Sequence, residues 1–315
     1  PDRAIVLEDP NGTRVLYDPG RPVSVDFPVN GTSVDPRLGQ IDLMILSSVH
    51  SDHIGDASMA QDPDAADNCG GNPTRVAQEN SAFIALLARL QDAQDGGANG
   101  PKVRVGGEVR DFLRAKLALE GAAHGLTVKT GDIDTLRHGG NSTVGGVRVA
   151  VIAAHHSNGI PLSLVDQSAG GLFDILDPDG LVPYVGPENG YVLTFTNGLA
   201  VYLSGDTGQT ADMKYVVNDF YNAKVALVNC GDKFSMGPPE CAYAVNQLIK
   251  PRTAIPTHIR EAATTGGDAG TNGVVSGAKT LAFIAAVGGA NVIVPRSGVE
   301  ISCNAVGNCT QAPTP

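Results

Sequence analysis

Within the stretch Leu46-Ser-Ser-Val-His50-Ser-Asp52-His53-Ile-Gly-Asp56, two imidazoles and a carboxylate fall inside four positions. Neutral imidazole nitrogen and ionised carboxylate oxygen are the donors that borderline divalent metals such as zinc take. More donors of the same kind follow: His155-His156, Asp206 within Ser204-Gly-Asp-Thr-Gly208, and His258 after Thr257. Each has a plainer reading when taken alone. The first is a polar loop with surface histidines, Asp206 is a turn residue, and His258 is a hydrogen-bonded loop histidine.

The elements that carry these residues strengthen the metal reading. Ile41 to Leu46, Val147 to Ala154, Leu199 to Leu203 and Ala254 to Pro256 are short apolar runs that read as buried strands. Each runs directly into one of the donor groups. Strands that stop at one sheet edge aim their terminal side chains into a common cavity, which is what a metal site assembled from distant positions requires. Around them the pattern is mixed α and β. Ala4–Leu7 and Thr13–Tyr17 flank the turn Asp9-Pro-Asn-Gly12. Asn80–Gln91 reads as a helix capped by Asn80 or Ser81, and a second helix places Val109, Phe112, Leu113 and Leu117 on one side. Pro238 and Pro239 suit the first turn of a helix closed by Pro251, and Ser276–Val287 reads as the last helix. Between 158 and 189 periodicity dissolves into Gly, Pro and Asp, which predicts a long functional loop at the active site. Gln61–Thr74, with Cys69, reads as an excursion near the site. One domain over 1–315 is expected.

Composition narrows the partners. A net charge of -11 and a pI near 5.0 oppose nucleic acid, whose phosphates call for clustered Lys and Arg. No apolar stretch nears the roughly 18 residues that span a bilayer. A small-molecule substrate is the expected partner, and the sequence carries no signal for oligomeric state. Among the five cysteines, Cys303 and Cys309 could close a short loop, and an odd count leaves at least one thiol over. The sequence begins at Pro1 without a methionine, as expected of a chain that has lost an N-terminal segment. The expected location is secreted or periplasmic.

The order H-x-D-H, then His, Asp and His, resembles the metallo-β-lactamase superfamily across about Ala4 to Val294. His156-Ser157, Ser204-Gly-Asp206-Thr, Gly231-Asp-Lys-Phe-Ser-Met-Gly-Pro238 and Ile255-Pro-Thr-His258 are similar to the branch containing L-ascorbate-6-phosphate lactonase. In that branch a Gly-Asp-x-Phe-Thr-Met-Gly-Pro segment precedes the last His ligand. The resemblance implies an α/β fold, a four-layer αββα sandwich. It implies one metal position on Asp52, His53 and His258, with Asp206 shared, and a second on His50, His156 and Asp206. The first histidine of the motif is missing, because Ser48 stands there. That leaves three readings: a single metal, a weakened second position, or rescue by a neighbour such as His155. His156 is the expected ligand, since adjacent strand residues face opposite ways and Ser157 completes the branch's His-Ser pair. His124 and His138 are bystanders.

The implied function is a metal-dependent hydrolase using Zn2+, one or two ions, with Mn2+ as the alternative. A metal-activated water would attack a small ester, lactone or amide, oriented by Asp52, the expected catalytic residue. Lys233 is an expected anion contact for substrate, set against a solvent-facing lysine. The alternatives are a phosphodiesterase for small phosphate esters, and a degenerate member that binds metal or ligand without turnover, motivated by Ser48. No Gly-x-Ser-x-Gly elbow is present, so a serine hydrolase is unsupported.

Overall fold

The computed structural model describes residues 4–20, 38–55, 81–94, 100–166, 168–265, 274–296 and 298–312. Asp56, Asn80 and the 61–74 stretch with Cys69 lie outside them. Contacts divide the chain into two units, one of residues 2–137 and 157–187, the other of Pro1, 138–156 and 188–315.

The first unit holds a five-stranded sheet in the order β1 (Ile5–Glu8), β2 (Arg14–Tyr17), β3 (Leu43–Ile45), β4 (Lys102–Val105), β5 (Ile133–Thr135). β1 and β2 form the expected antiparallel hairpin, its turn closed by Gly12 N donating to Asp9 O at 2.8 Å. From β2 to β5 the pairings are parallel. β3 lies between two neighbours and is buried along its whole length, as a continuous apolar run in a parallel sheet should be. One helical turn, α1 (Ser51–Ile54), follows it, and then come α2 (Ala82–Ala93) and α3 (Arg110–His124). Ser81 is the cap of α2, its side chain accepting from Ile84 N at 3.2 Å. Leu87, Leu113 and Leu117 from these helices share the core with Leu16 and Met44 of the sheet. The expected long loop is more structured than its composition suggests. It contains the short helix α4 (Leu172–Leu176), two single 3-10 turns, and a bridge between Gly159 and Tyr184. One-turn elements have no room to repeat an apolar period, so periodicity cannot reveal them.

The second unit holds a seven-stranded sheet. β6 (Asn141–Val144), β7 (Val147–Ala153), β8 (Asn189–Thr194) and β9 (Ala200–Leu203) run as an antiparallel meander. β10 (Val225–Asn229) and β11 (Thr253–Thr257) then extend it in parallel, with α5 (Pro238–Tyr243) between them in sequence. α5 starts on Gly237 with proline in its first turn, as the sequence indicates, and continues into a wider π-type turn over Ala244–Ile249. β12 (Thr264–Thr265) and β13 (Val274–Val275) make a small ribbon before α6 (Ala278–Ala286), and β14 (Asn291–Val292) closes the sheet beside β11. A terminal hairpin, β15 (Ile301–Cys303) and β16 (Cys309–Gln311), is cross-linked by the Cys303–Cys309 disulfide. A second disulfide, Cys230–Cys241, joins the end of β10 to α5.

Candidate functional site

In the first unit the donor-rich stretch is a strand-to-helix turn. β3 gives way to Ser47 and Ser48, His50 caps α1 in extended backbone, and the turn closes with His53 N donating to His50 O at 2.9 Å. Asp52 and His53 therefore sit on a single helical turn set at the end of a buried strand. His53 is 5% exposed, and its Nδ1 lies 2.8 Å from Asp18 Oδ2. Asp18 is held in turn by Ser47, whose backbone N donates at 2.7 Å and whose hydroxyl donates at 2.6 Å. A carboxylate on Nδ1 fixes the ring's tautomer and presents Nε2 as the coordinating nitrogen. Asp52 Oδ2 stands 3.5 Å from that Nε2. Gly20 packs against the back of this turn, where an added Cβ would lie 2.6 Å from His53 O, so only glycine fits.

Ser48 is buried, and its Oγ accepts from His50 N at 3.0 Å. Asn158 Oδ1 accepts from Val49 N at 2.9 Å alongside it. The Ser48 hydroxyl thus shapes the local backbone.

The second unit carries the remaining donors at the ends of its strands. β9 runs into Ser204-Gly205-Asp206, with Ser204 Oγ donating to Asn229 Oδ1 at 2.9 Å and Asn229 Nδ2 donating to Thr207 O at 2.9 Å. That clamp fixes the Asp206 loop to the end of β10. β11 runs into His258, which takes a left-handed φ of 45°, an uncommon conformation for a residue with a side chain. Gly231 packs so closely that an added Cβ would overlap the His258 carbonyl oxygen. His258 Nε2 and Asp206 Oδ2, both on buried residues, are 3.3 Å apart. Past the end of β7, His155 is exposed and held by its backbone N donating to Thr207 Oγ1 at 2.9 Å. His156 turns inward instead, its Nδ1 standing 3.8 Å from Oε1 of the fully buried Glu188.

Two donors of one zinc ion, each about 2.1 Å from it, stand no more than about 4.2 Å apart. The three imidazole–carboxylate pairs, at 3.3, 3.5 and 3.8 Å, all fall inside that limit. All three are also longer than a well-formed N–H···O hydrogen bond of about 2.9 Å. This donor set fits a divalent cation. His50, Asp52 and His53 in the first unit, and His156, Glu188, Asp206 and His258 in the second, are the ligand-competent groups. Lys233 is exposed, and its ammonium lies 5.0 Å from the Phe234 ring centre, with the Arg260 guanidinium 4.4 Å from the same ring. His138 Nε2 lies 3.0 Å from Glu188 O, and His124 lies 3.5 Å from Glu120 on its own helix.

Two residues here escape the sequence reading. Asp18 stands at the end of β2 and looks like part of an Asp-Pro-Gly chain break. Glu188 stands just before a strand, at the close of a stretch without periodicity. The end of β2 was a signal of the same kind as the other strand ends; nothing local marks Glu188.

A family profile described as Beta-lactamase superfamily domain matches residues 3–258. The UPF0173 metal-dependent hydrolase of Cupriavidus necator is 28% identical over 301 residues, covering 94% of this chain and 81% of its own. That of Koribacter versatilis is 27% identical over 252 residues, covering 79% and 77%. Among solved structures, Igni18, a metallo hydrolase from Ignicoccus hospitalis, aligns over 98% of this chain and 94% of its own, with TM-score 0.53 and 19% identity. The metallo-beta-lactamase fold protein YhfI from Bacillus subtilis aligns over 98% and 90%, with TM-score 0.50 and 13% identity.

Proposed function

Because the chain belongs to the beta-lactamase superfamily domain family and has its α/β fold, we propose that it is a metal-dependent hydrolase of small esters, lactones or amides. The metal is zinc, with manganese the alternative, and its ligands are Asp52, His53, Asp206 and His258, with His50 and His156 for a second ion. The observation that carries this reading is the Asp18–His53 contact at 2.8 Å, the orienting bond that metal-ligating histidines make. The relatives' names support the same reading, since they are called metal-dependent hydrolases.

When bound, the cation supplies a Lewis acid that polarises the scissile carbonyl and acidifies water. The chain's own groups do the rest. Asp18 keeps the His53 proton on Nδ1. Asp52, a quarter exposed at its side chain, orients the attacking water and carries its proton to the leaving group. The strained backbone at His258 and the clamped Asp206 loop keep those donors from relaxing away. Lys233 and Arg260, both against Phe234, supply positive charge for an anionic substrate group. The two disulfides favour a compartment outside the reducing cytoplasm, secreted or periplasmic.

A panel of lactones, carboxylic esters, amides and phosphodiesters, run with and without chelator, tests the proposal. The expected result is chelator-sensitive turnover of a carboxylic substrate. Turnover of the phosphodiesters alone makes the protein a phosphodiesterase. A metal-loaded protein that cleaves nothing is a binding member of the family.

A further inference from the structure

We propose that Glu188 is a metal ligand, partnering His156. The inference rests on the metal-dependent reading above and extends it to a residue outside the family motif.

Register puts the pair together. Ala153 lies opposite Asn189 in the β7–β8 ladder, and the next pair outward is Ala154 and Glu188, joined by Ala154 N donating to Glu188 O at 3.3 Å. His156 follows three residues past the end of β7, and its Nδ1 comes within 3.8 Å of Glu188 Oε1. His155 beside it is exposed. The chain leaves this unit directly after His156 and returns to it at Glu188, so the two residues bracket the whole 157–187 excursion.

Chemistry then separates three roles for Glu188. A carboxylate at 0% exposure is costly unless a positive partner meets it. The Glu188 Oε1 to His156 Nδ1 separation of 3.8 Å is too long for a hydrogen bond, which argues against simple orientation of the ring. It lies within the span of two donors on one cation, about 4.2 Å at most. Its backbone is fixed independently, with His138 Nε2 3.0 Å from Glu188 O. As the family resemblance assigns the ligands, the position using His156 is one donor short at Ser48. Glu188 offers a donor that is anionic where the motif's imidazole is neutral, which suits a harder ion such as manganese as well as zinc.

Metal stoichiometry by elemental analysis, on wild type, Glu188→Gln and Glu188→His saturated with zinc and desalted, tests this. Glu188→Gln should lose about one zinc per chain relative to wild type, or bind that zinc at least tenfold more weakly, and Glu188→His should regain it. Thermal melts supply a readout independent of activity. The Glu188→Gln protein should melt below wild type with zinc present and no lower than wild type in chelator, where the buried carboxylate has lost its cation. A Glu188→Gln protein with wild-type zinc content and affinity overturns the assignment while leaving the hydrolase reading intact. So does an equal drop in melting temperature with and without zinc, which marks a purely structural carboxylate. Wild type that binds no zinc or manganese overturns both.

Discussion

Asp18 decides which nitrogen of His53 faces a metal, and it does so with one oxygen at 2.8 Å. Ser47 holds that carboxylate with two hydrogen bonds, and its hydroxyl also lies 3.1 Å from His53 Nδ1. Replacing Asp18 by Asn keeps the volume but removes the charge that pins the tautomer. Asp18→Asn should weaken zinc binding by roughly 10- to 100-fold. Competition against a chelator of known affinity reads this directly, and an unchanged dissociation constant would remove Asp18 from the account. His50, Asp52, His53, His156, Asp206 and His258 are legible in the sequence because each follows an apolar run that stops abruptly. Glu188 is not, because the rule that reads strand ends looks forward along the chain. A donor at the start of a strand is found only once the strand order shows which earlier residue lies opposite it.

At the level of elements, β9 shows a cost the sequence does not announce. Tyr202 is fully buried, and its hydroxyl meets no hydrogen-bond partner among the described residues. Burial, with the Asp212 charge added, pushes the Tyr202 phenol above its ordinary value near 10. The folded state then resists ionisation that the unfolded chain undergoes freely. Stability from this source is present below about pH 10 and is lost as pH rises beyond it. Tyr202→Phe removes an unsatisfied hydroxyl, so at pH 8 it should leave stability unchanged or raise it by up to about 1 kcal/mol. Above pH 10 its advantage should widen. Urea midpoints at both pH values measure the effect, and a variant clearly weaker than wild type at pH 8 contradicts it. A continuous apolar run marks β9 as a core strand but cannot show whether a buried phenol finds an acceptor. The same limit applies to the 158–189 stretch, where α4 and its neighbouring turns are each too short to show a period. The long helices are legible because their apolar positions repeat over several turns, and Ser81 because a cap is a local interaction.

Across the whole molecule, the superfamily match and the donor set agree with metal-dependent hydrolysis. Each unit carries part of the donor set at the ends of its own strands: His50, Asp52 and His53 in the first, His156, Glu188, Asp206 and His258 in the second. A cation that binds only the folded chain stabilises it, by about 2.7 kcal/mol when free metal is a hundred times the dissociation constant. The measurement closest to the central claim is the metal content of the purified wild-type chain, set beside hydrolysis by the same sample before and after chelation. At least one tightly held zinc or manganese ion per chain is expected, removed together with activity by chelator and restored together on adding the ion back. Asp206→Ala should lower that content far more than His155→Ala. Full hydrolytic activity in a chain stripped of metal would contradict the central claim.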